Sequence, residues 1–434
     1  MKRRLLPMMM TLVLVCALPI WAAFVTSGDV TNPLVSTAGA TLPPEPVAVS
    51  NAADLQNSIA DGKSVKLTDN ITITSTLKIS SSLTLDLNGH VLKMTGSGSV
   101  LRVSGRATLT ITDSRPQNPH TGSYAGLPAG GVITGGKGTD AGGSVHSVGG
   151  AVFLENGTTL NLEGGTITGN SSRGSVFING ATLVMSGGTI TGETVGVHNN
   201  VGTFTMTGGR ITGCSDRGVY VYNGNMTMSD TAYIGGNPGA GEEIYVRGPV
   251  HKHTDLSVTG GTIAGNVRIE FGANLGMTQE SLKPVANSVV KEGGVFEGHI
   301  QVRIDNTEGT SVDYNTVNFI DEVAKTRTLQ LVLADKKATR PTDPATVNGQ
   351  TFMYWAKEGV SEAWDFSTEI KGPLTLYAVR TPASSGGYYY YPATDTKADD
   401  VKGSPKTADP GVALYAALSL LSLTGLTCTA RKKF

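Results

Sequence analysis

Along the middle of this 434-residue chain, apolar and polar residues alternate in short runs that recur in step with a Gly-Gly phrase. The phrase reads GGTITGN from Gly164, GGTITG from Gly187, GGRITG from Gly208 and GGTIAGN from Gly260, with looser copies from Gly130 and Gly293. Four and two residues before each of the four close copies stands an apolar pair: Leu160 and Leu162, Leu183 and Met185, Phe204 and Met206, Leu256 and Val258. Met226 and Met228 fill the same places before the degenerate copy at Asp230. A second set of pairs lies upstream: Val152 and Leu154, Val176 and Ile178, Val195 and Val197, Val219 and Val221, Ile244 and Val246. The phrase itself adds Ile167, Ile190, Ile211, Ile234 and Ile263. Period-two alternation of this kind predicts strands with one buried face. The glycines predict tight corners between them.

The first three copies start at 164, 187 and 208, intervals of 23 and 21 residues. Three short strands and three corners in that length make one coil of a solenoid. Residues 50–305 are thus expected to form a parallel β-helix of roughly 11 coils. Ala52, Leu55 and Ile59 sit at helical spacing and predict a short helix covering the open first coil. The run LTLDLNGHVL at residues 83–92 and LTITDS at 109–114 resemble the opening coils of pectin-lyase-like right-handed β-helix proteins. That resemblance implies an all-β, right-handed parallel β-helix. It does not imply an activity, because the scaffold serves lyases, hydrolases, adhesins and spacers alike.

The composition changes after the last coil. Residues 306–328 read as a connector, and the order TFMYWA, WDFST, EI and LTLYAVR within 329–380 resembles the small β-grasp-like repeats of Listeria–Bacteroides type. Phe352, Trp355, Trp364, Phe366, Leu374, Leu376 and Tyr377 are its expected core. A module this small is expected to lean on the end of the β-helix. Residues 381–403, with Pro, Ser, Gly and tyrosines at 388–391, read as a flexible stalk.

Both ends carry targeting patterns. Lys2, Arg3 and Arg4 precede an apolar stretch and small residues at Ala22 and Ala23, the form of a secretory signal peptide over 1–23, with 24–49 a linker. At the other end, Ser404, Pro405, Lys406, Thr407 and Ala408 precede an apolar segment at 412–430 and then Arg431, Lys432 and Lys433. Residues 404–434 resemble a Gram-positive cell-wall sorting signal (LPxTG-like). The resemblance implies a transmembrane helix that pauses in the membrane. A sortase partner then cuts between Thr407 and Ala408 and joins the protein to peptidoglycan. The usual outer Leu and Gly are Ser404 and Ala408 here, which leaves the sortase class open. A simple membrane-anchored tail is the alternative. The expected location is secreted and attached to the cell wall.

Charge and cysteine use add little chemistry. The net charge is −1 with 16% charged residues, and no basic cluster points to nucleic acid. Cys16 and Cys428 lie in the two ends, so Cys214 is alone in the body and no disulfide can form there. The carboxylates Glu155, Glu163, Glu193, Asp216, Asp230, Glu242, Glu243 and Glu270 fall at no spacing that stacks a pair on one face. Arg173, Arg210, Arg217 and Arg247 read as corner residues, as do His198, His251 and His253. No catalytic residue, metal site or cofactor is assigned.

The upstream strands offer a binding site instead. Between their inward positions lie Phe153, Phe177, Gly196, Tyr220 and Tyr245, and these point outward. Asn156, Asn179, Asn199 and Asn223 stand at the following turns. Aromatic rings beside amides suit stacking on a polysaccharide, and Phe153, Phe177, Tyr220, Tyr245, Asn179 and Asn223 are the candidate ligand-binding residues. Cover by the long insert at 113–147 is the alternative for this stripe. The expected role is adhesion or polysaccharide binding at the cell surface, including host glycans. A polysaccharide lyase or glycoside hydrolase with a diverged site, or a passive surface spacer, are the alternatives.

Overall fold

The computed structural model describes residues 44–138, 149–171, 174–237, 241–248, 256–272, 294–305 and 311–382. The segments read as signal peptide, most of the linker, the stalk beyond residue 382 and the sorting motif (Ser404, Pro405, Lys406, Thr407 and Ala408), and the apolar segment 412–430, lie outside them. No helix among the described residues is long and apolar enough to cross a membrane.

The alternating runs are strands, and they stack coil upon coil into three parallel sheets. In one coil, Val152–Leu154 belongs to sheet I, Thr159–Leu162 to sheet II and Thr166–Thr168 to sheet III. Each pairs in parallel with its counterpart in the next coil, Val176–Asn179, Thr182–Met185 and Thr189–Thr191. Sheets II and III hold nine strands each, and sheet I runs on into the C-terminal module to reach thirteen. Among the described residues, sheets II and III show nine rungs each, fewer than the roughly 11 coils that length alone suggests. One reason is that the residues between Thr108–Thr112 and Val132–Thr134 form a side loop with a 3-10 turn at Gly122–Tyr124, not another coil.

The interior is the set of columns that alternation predicts. Leu160, Leu183, Phe204 and Met226 stack through sheet II, and Ile167, Ile190, Ile211, Ile234 and Ile263 through sheet III, all essentially inaccessible. The Gly-Gly corner has two separate requirements. At Gly188 the backbone is left-handed, φ +71°, while a β-carbon on Gly187 would meet the Glu163 carbonyl oxygen at 2.1 Å. The first coil is closed by the helix Ala52–Ala60, which buries Leu55 and Ile59. Asn51 caps it, accepting the Asp54 N–H at 3.0 Å.

One inward pair differs from expectation. Val195 and Val197 do not both face inward; Val197 pairs with Val176, and Asn199 pairs with the interior Ile178. Asn199 is completely buried and satisfied at the corner. Its Oδ1 accepts the Gly202 N–H at 3.0 Å, and its Nδ2 donates to the Gly202 and Asn225 carbonyls at 3.1 and 2.9 Å. Those bonds are why a polar side chain can hold an inward place.

The module begins earlier than its sequence resemblance indicates. Ser311–Asp321, within the stretch read as connector, pairs antiparallel with the last coil strand Ile300–Asp305. It also pairs with Thr326–Leu333 and, in parallel, with Leu374–Arg380. Val317, Phe319, Trp355, Ile370 and Leu376 form a small second core, with Phe352, Trp364, Phe366 and Leu374 packed against it. Tyr377 is only half-buried. The module thus leans on the β-helix through a shared sheet.

Candidate functional site

Sheet I positions the aromatic residues. Its parallel register aligns Arg102, Phe153, Phe177, His198, Tyr220, Tyr245 and Arg268 in one outward column. Neighbouring ring centroids are 6.0 Å apart for Phe153–Phe177, 4.6 Å for Phe177–His198, 4.7 Å for His198–Tyr220 and 5.1 Å for Tyr220–Tyr245. These are separations at which edge-to-face and offset rings attract. Guanidiniums close the ladder, Arg102 lying 5.4 Å from the Phe153 ring and Arg268 5.2 Å from Tyr245.

His198 occupies the rung expected to be Gly196. Gly196 instead faces inward, where a β-carbon would meet Ile211 Cγ2 at 2.7 Å and Cys214 Sγ at 3.2 Å. His198 is therefore no exposed corner residue; it is buried between two rings. The sequence did hold a signal for this. Ile178 precedes Leu183 by five residues and Val221 precedes Met226 by five, and only Asn199 keeps that spacing to Phe204.

The ladder is not uniformly open. Phe153, Phe177 and His198 are 7%, 3% and 6% exposed, whereas Tyr220 and Tyr245 are half-buried. The two tyrosines border a cleft of ≈ 320 Å³ with Thr194, Val195, His198, Asp216 and Arg217. The described start of the long insert is tied elsewhere, since Asp113 Oδ1 accepts the Gly89 N–H at 2.7 Å and Asn118 Nδ2 donates to the Gly89 carbonyl at 2.8 Å. Residues 139–147 of that insert are outside the described ones. Asn179 stands on the same outward face two residues beyond Phe177, its Oδ1 accepting from Asn200 Nδ2 at 3.0 Å. Asn223 takes the left-handed corner position, φ +54°, past the strand Arg217–Tyr222.

The tyrosines are held protonated. Burial pushes the Tyr245 phenol up to about 12, and the Glu270 charge and hydrogen bond add to the rise. Burial also raises Tyr220, with Arg247 opposing. Both hydroxyls keep their protons at neutral pH; Tyr245 donates its proton to the Glu270 carboxylate, whereas the Tyr220 oxygen accepts from Arg247.

The scattered carboxylates sort into three groups. Glu155, Asp216, Glu242 and Glu270 pair with arginines at or beside the ladder, a grouping that linear spacing does not reveal. Glu193 and Glu243 lie in the corner between sheets III and I, where Glu193 accepts the Asn170 N–H at 3.0 Å and Glu243 the Asn237 N–H at 3.2 Å. Burial raises Glu193 to about 7. Cys214 sits between these acids; burial first, and their charges in addition, push its thiol up to about 12, so it is a packed residue. Glu163 and Asp230 are exposed, and the exposed Arg210 lies 3.9 Å from the Tyr233 ring centroid. Arg173, His251 and His253 lie outside the described residues. Among the described residues, no three His, Cys, Asp or Glu are grouped to hold a metal ion.

Compared with known proteins, the chain matches no family model, no curated protein and no solved structure.

Proposed function

We propose that the chain is a wall-attached surface protein of a Gram-positive bacterium, with a right-handed, pectin-lyase-like β-helix that binds polysaccharide. The observation that carries the binding reading is the unbroken ladder from Phe153 to Tyr245, ending at the half-exposed Tyr220 and Tyr245 above an open cleft. Aromatic surface left partly in water is characteristic of a place where something docks. Phe153 and Phe177 are buried rungs that continue the ladder to His198, and Asn179 stands beside them on the same face. Tyr220→Ala and Tyr245→Ala are each expected to weaken retention on a bound glycan by about tenfold, roughly 1.4 kcal/mol. Unchanged retention in both variants, with the wild type binding, rules the site out.

The attachment reading rests on the order of Pro405, Thr407, the apolar segment 412–430 and the basic tail. Thr407→Ala is expected to move the protein from the peptidoglycan fraction to the membrane fraction of the producing cell. A wall-linked Thr407→Ala protein contradicts attachment at this motif.

A further inference from the structure

The sheet I face carries charge as well as rings, and the charges beside the rings are paired in place. Arg102 Nε donates to Glu155 Oε1 at 2.5 Å. Arg217 is gripped by Asp216 through two bonds of 3.0 and 3.1 Å. Arg247 lies 3.7 Å from Glu270, and Arg268 bridges Glu242 at 3.2 Å and Glu270 at 2.9 Å. Arg102, Arg217, Arg247 and Arg268 are thus matched by Glu155, Asp216, Glu242 and Glu270, and the charged residues lining the cleft, Asp216 and Arg217, are one of these pairs; Lys78 and Arg303 stand further along the same sheet. Ion pairs also form elsewhere, among them Arg340–Asp343 and Arg380–Asp321, but not every group of cations is matched in this way. The larger cleft of the C-terminal module, ≈ 600 Å³, is lined by Lys337, Lys357 and Lys371, which form no ion pair among the described residues.

A polyanion gains little from guanidiniums already held by carboxylates, and it meets the carboxylates as like charges. A neutral sugar needs something different. Its C–H face needs a ring, and its vicinal hydroxyls need fixed donors and acceptors side by side. A guanidinium–carboxylate pair offers both in one plane, and Arg217–Asp216 borders the same cleft as Tyr220 and Tyr245.

We infer that the ligand of this face is an uncharged polysaccharide, a polymer of neutral hexoses and not a uronan or a phosphate polymer. The inference rests on the glycan-binding reading above.

The test uses immobilised full-length chain with cellohexaose, mannohexaose, hexagalacturonate and a short polyphosphate as probes. Binding of a neutral hexaose is expected, changing less than about twofold between roughly 50 and 500 mM NaCl, because screening acts on net charge. Hexagalacturonate and polyphosphate are expected to bind at least about tenfold more weakly, roughly 1.4 kcal/mol. Asp216→Asn releases Arg217 and is expected to narrow that gap by strengthening hexagalacturonate. Tighter binding of either polyanion by the wild type, or a salt-driven loss of about tenfold for the preferred probe, overturns the inference. If Tyr220→Ala and Tyr245→Ala weaken that polyanion binding, the site stands and only its ligand class is wrong. If they change nothing, or if no probe binds, the glycan-binding reading itself fails and this inference with it.

Discussion

Asn199 and Glu193 show how single polar residues are accommodated inside a coil. Asn199 replaces an apolar rung yet makes three hydrogen bonds across the corner. Asn199→Ala strands the Gly202 and Asn225 backbone groups, and a loss of about 1–3 kcal/mol is expected in urea unfolding. Glu193 is the opposite case, a buried carboxyl with no ion pair among the described residues, whose folded-state value of about 7 lies above the ordinary 4.5. The folded chain therefore binds this proton more tightly than the unfolded chain does. Its contribution is fullest below about pH 4.5 and is lost as pH rises through about 7. The size of that loss is roughly 3 kcal/mol. Glu193→Gln should flatten the stability profile between those two pH values, and an unaltered profile would remove Glu193 as its source.

Strands were the most legible elements, because alternation of Leu, Ile, Val and Met with Thr and Asn fixes which side faces in. The inward pairs at Leu160 and Leu162, Leu183 and Met185, and Phe204 and Met206 are where that alternation puts them. The strand Val195–Asn200 was misleading for a physical reason. Its VGVHNN sequence offers two frames, and the apolar frame looks better until the corner bonds of Asn199 are counted. The outcome matters for the face, because the second frame puts an imidazole in the ladder and joins Phe177 to Tyr220 through ring contacts. His198→Gly should therefore lower protection of the strand Arg217–Tyr222 against hydrogen exchange. An exchange pattern identical to the wild type would show that the ring contacts contribute nothing to the strand.

At the scale of the whole molecule, the β-helix and the C-terminal module share a sheet through the pairing of Ile300–Asp305 with Ser311–Asp321. The module's own core is a handful of side chains around Phe319 and Trp355. A unit of that size buries too little on its own. Residues 306–382 expressed alone are expected to show no cooperative thermal transition, while the same residues in the full chain resist proteolysis. A cooperative transition in the isolated module would make the shared sheet incidental to its folding.

The repeat by itself determined the stacked coils, their inward columns and the existence of an aromatic outer column, because side-chain alternation and glycine corners act within a single coil, and the helical spacing of Ala52, Leu55 and Ile59 determined the capping helix Ala52–Ala60. Tertiary structure decided the exact rungs of that column, the reach of sheet I into the module and the pairing of charges on the face. Arg268 and Glu242 meet across neighbouring strands from different coils, at 3.2 Å. No local pattern encodes that meeting, because only the register between coils fixes which outward residues become neighbours.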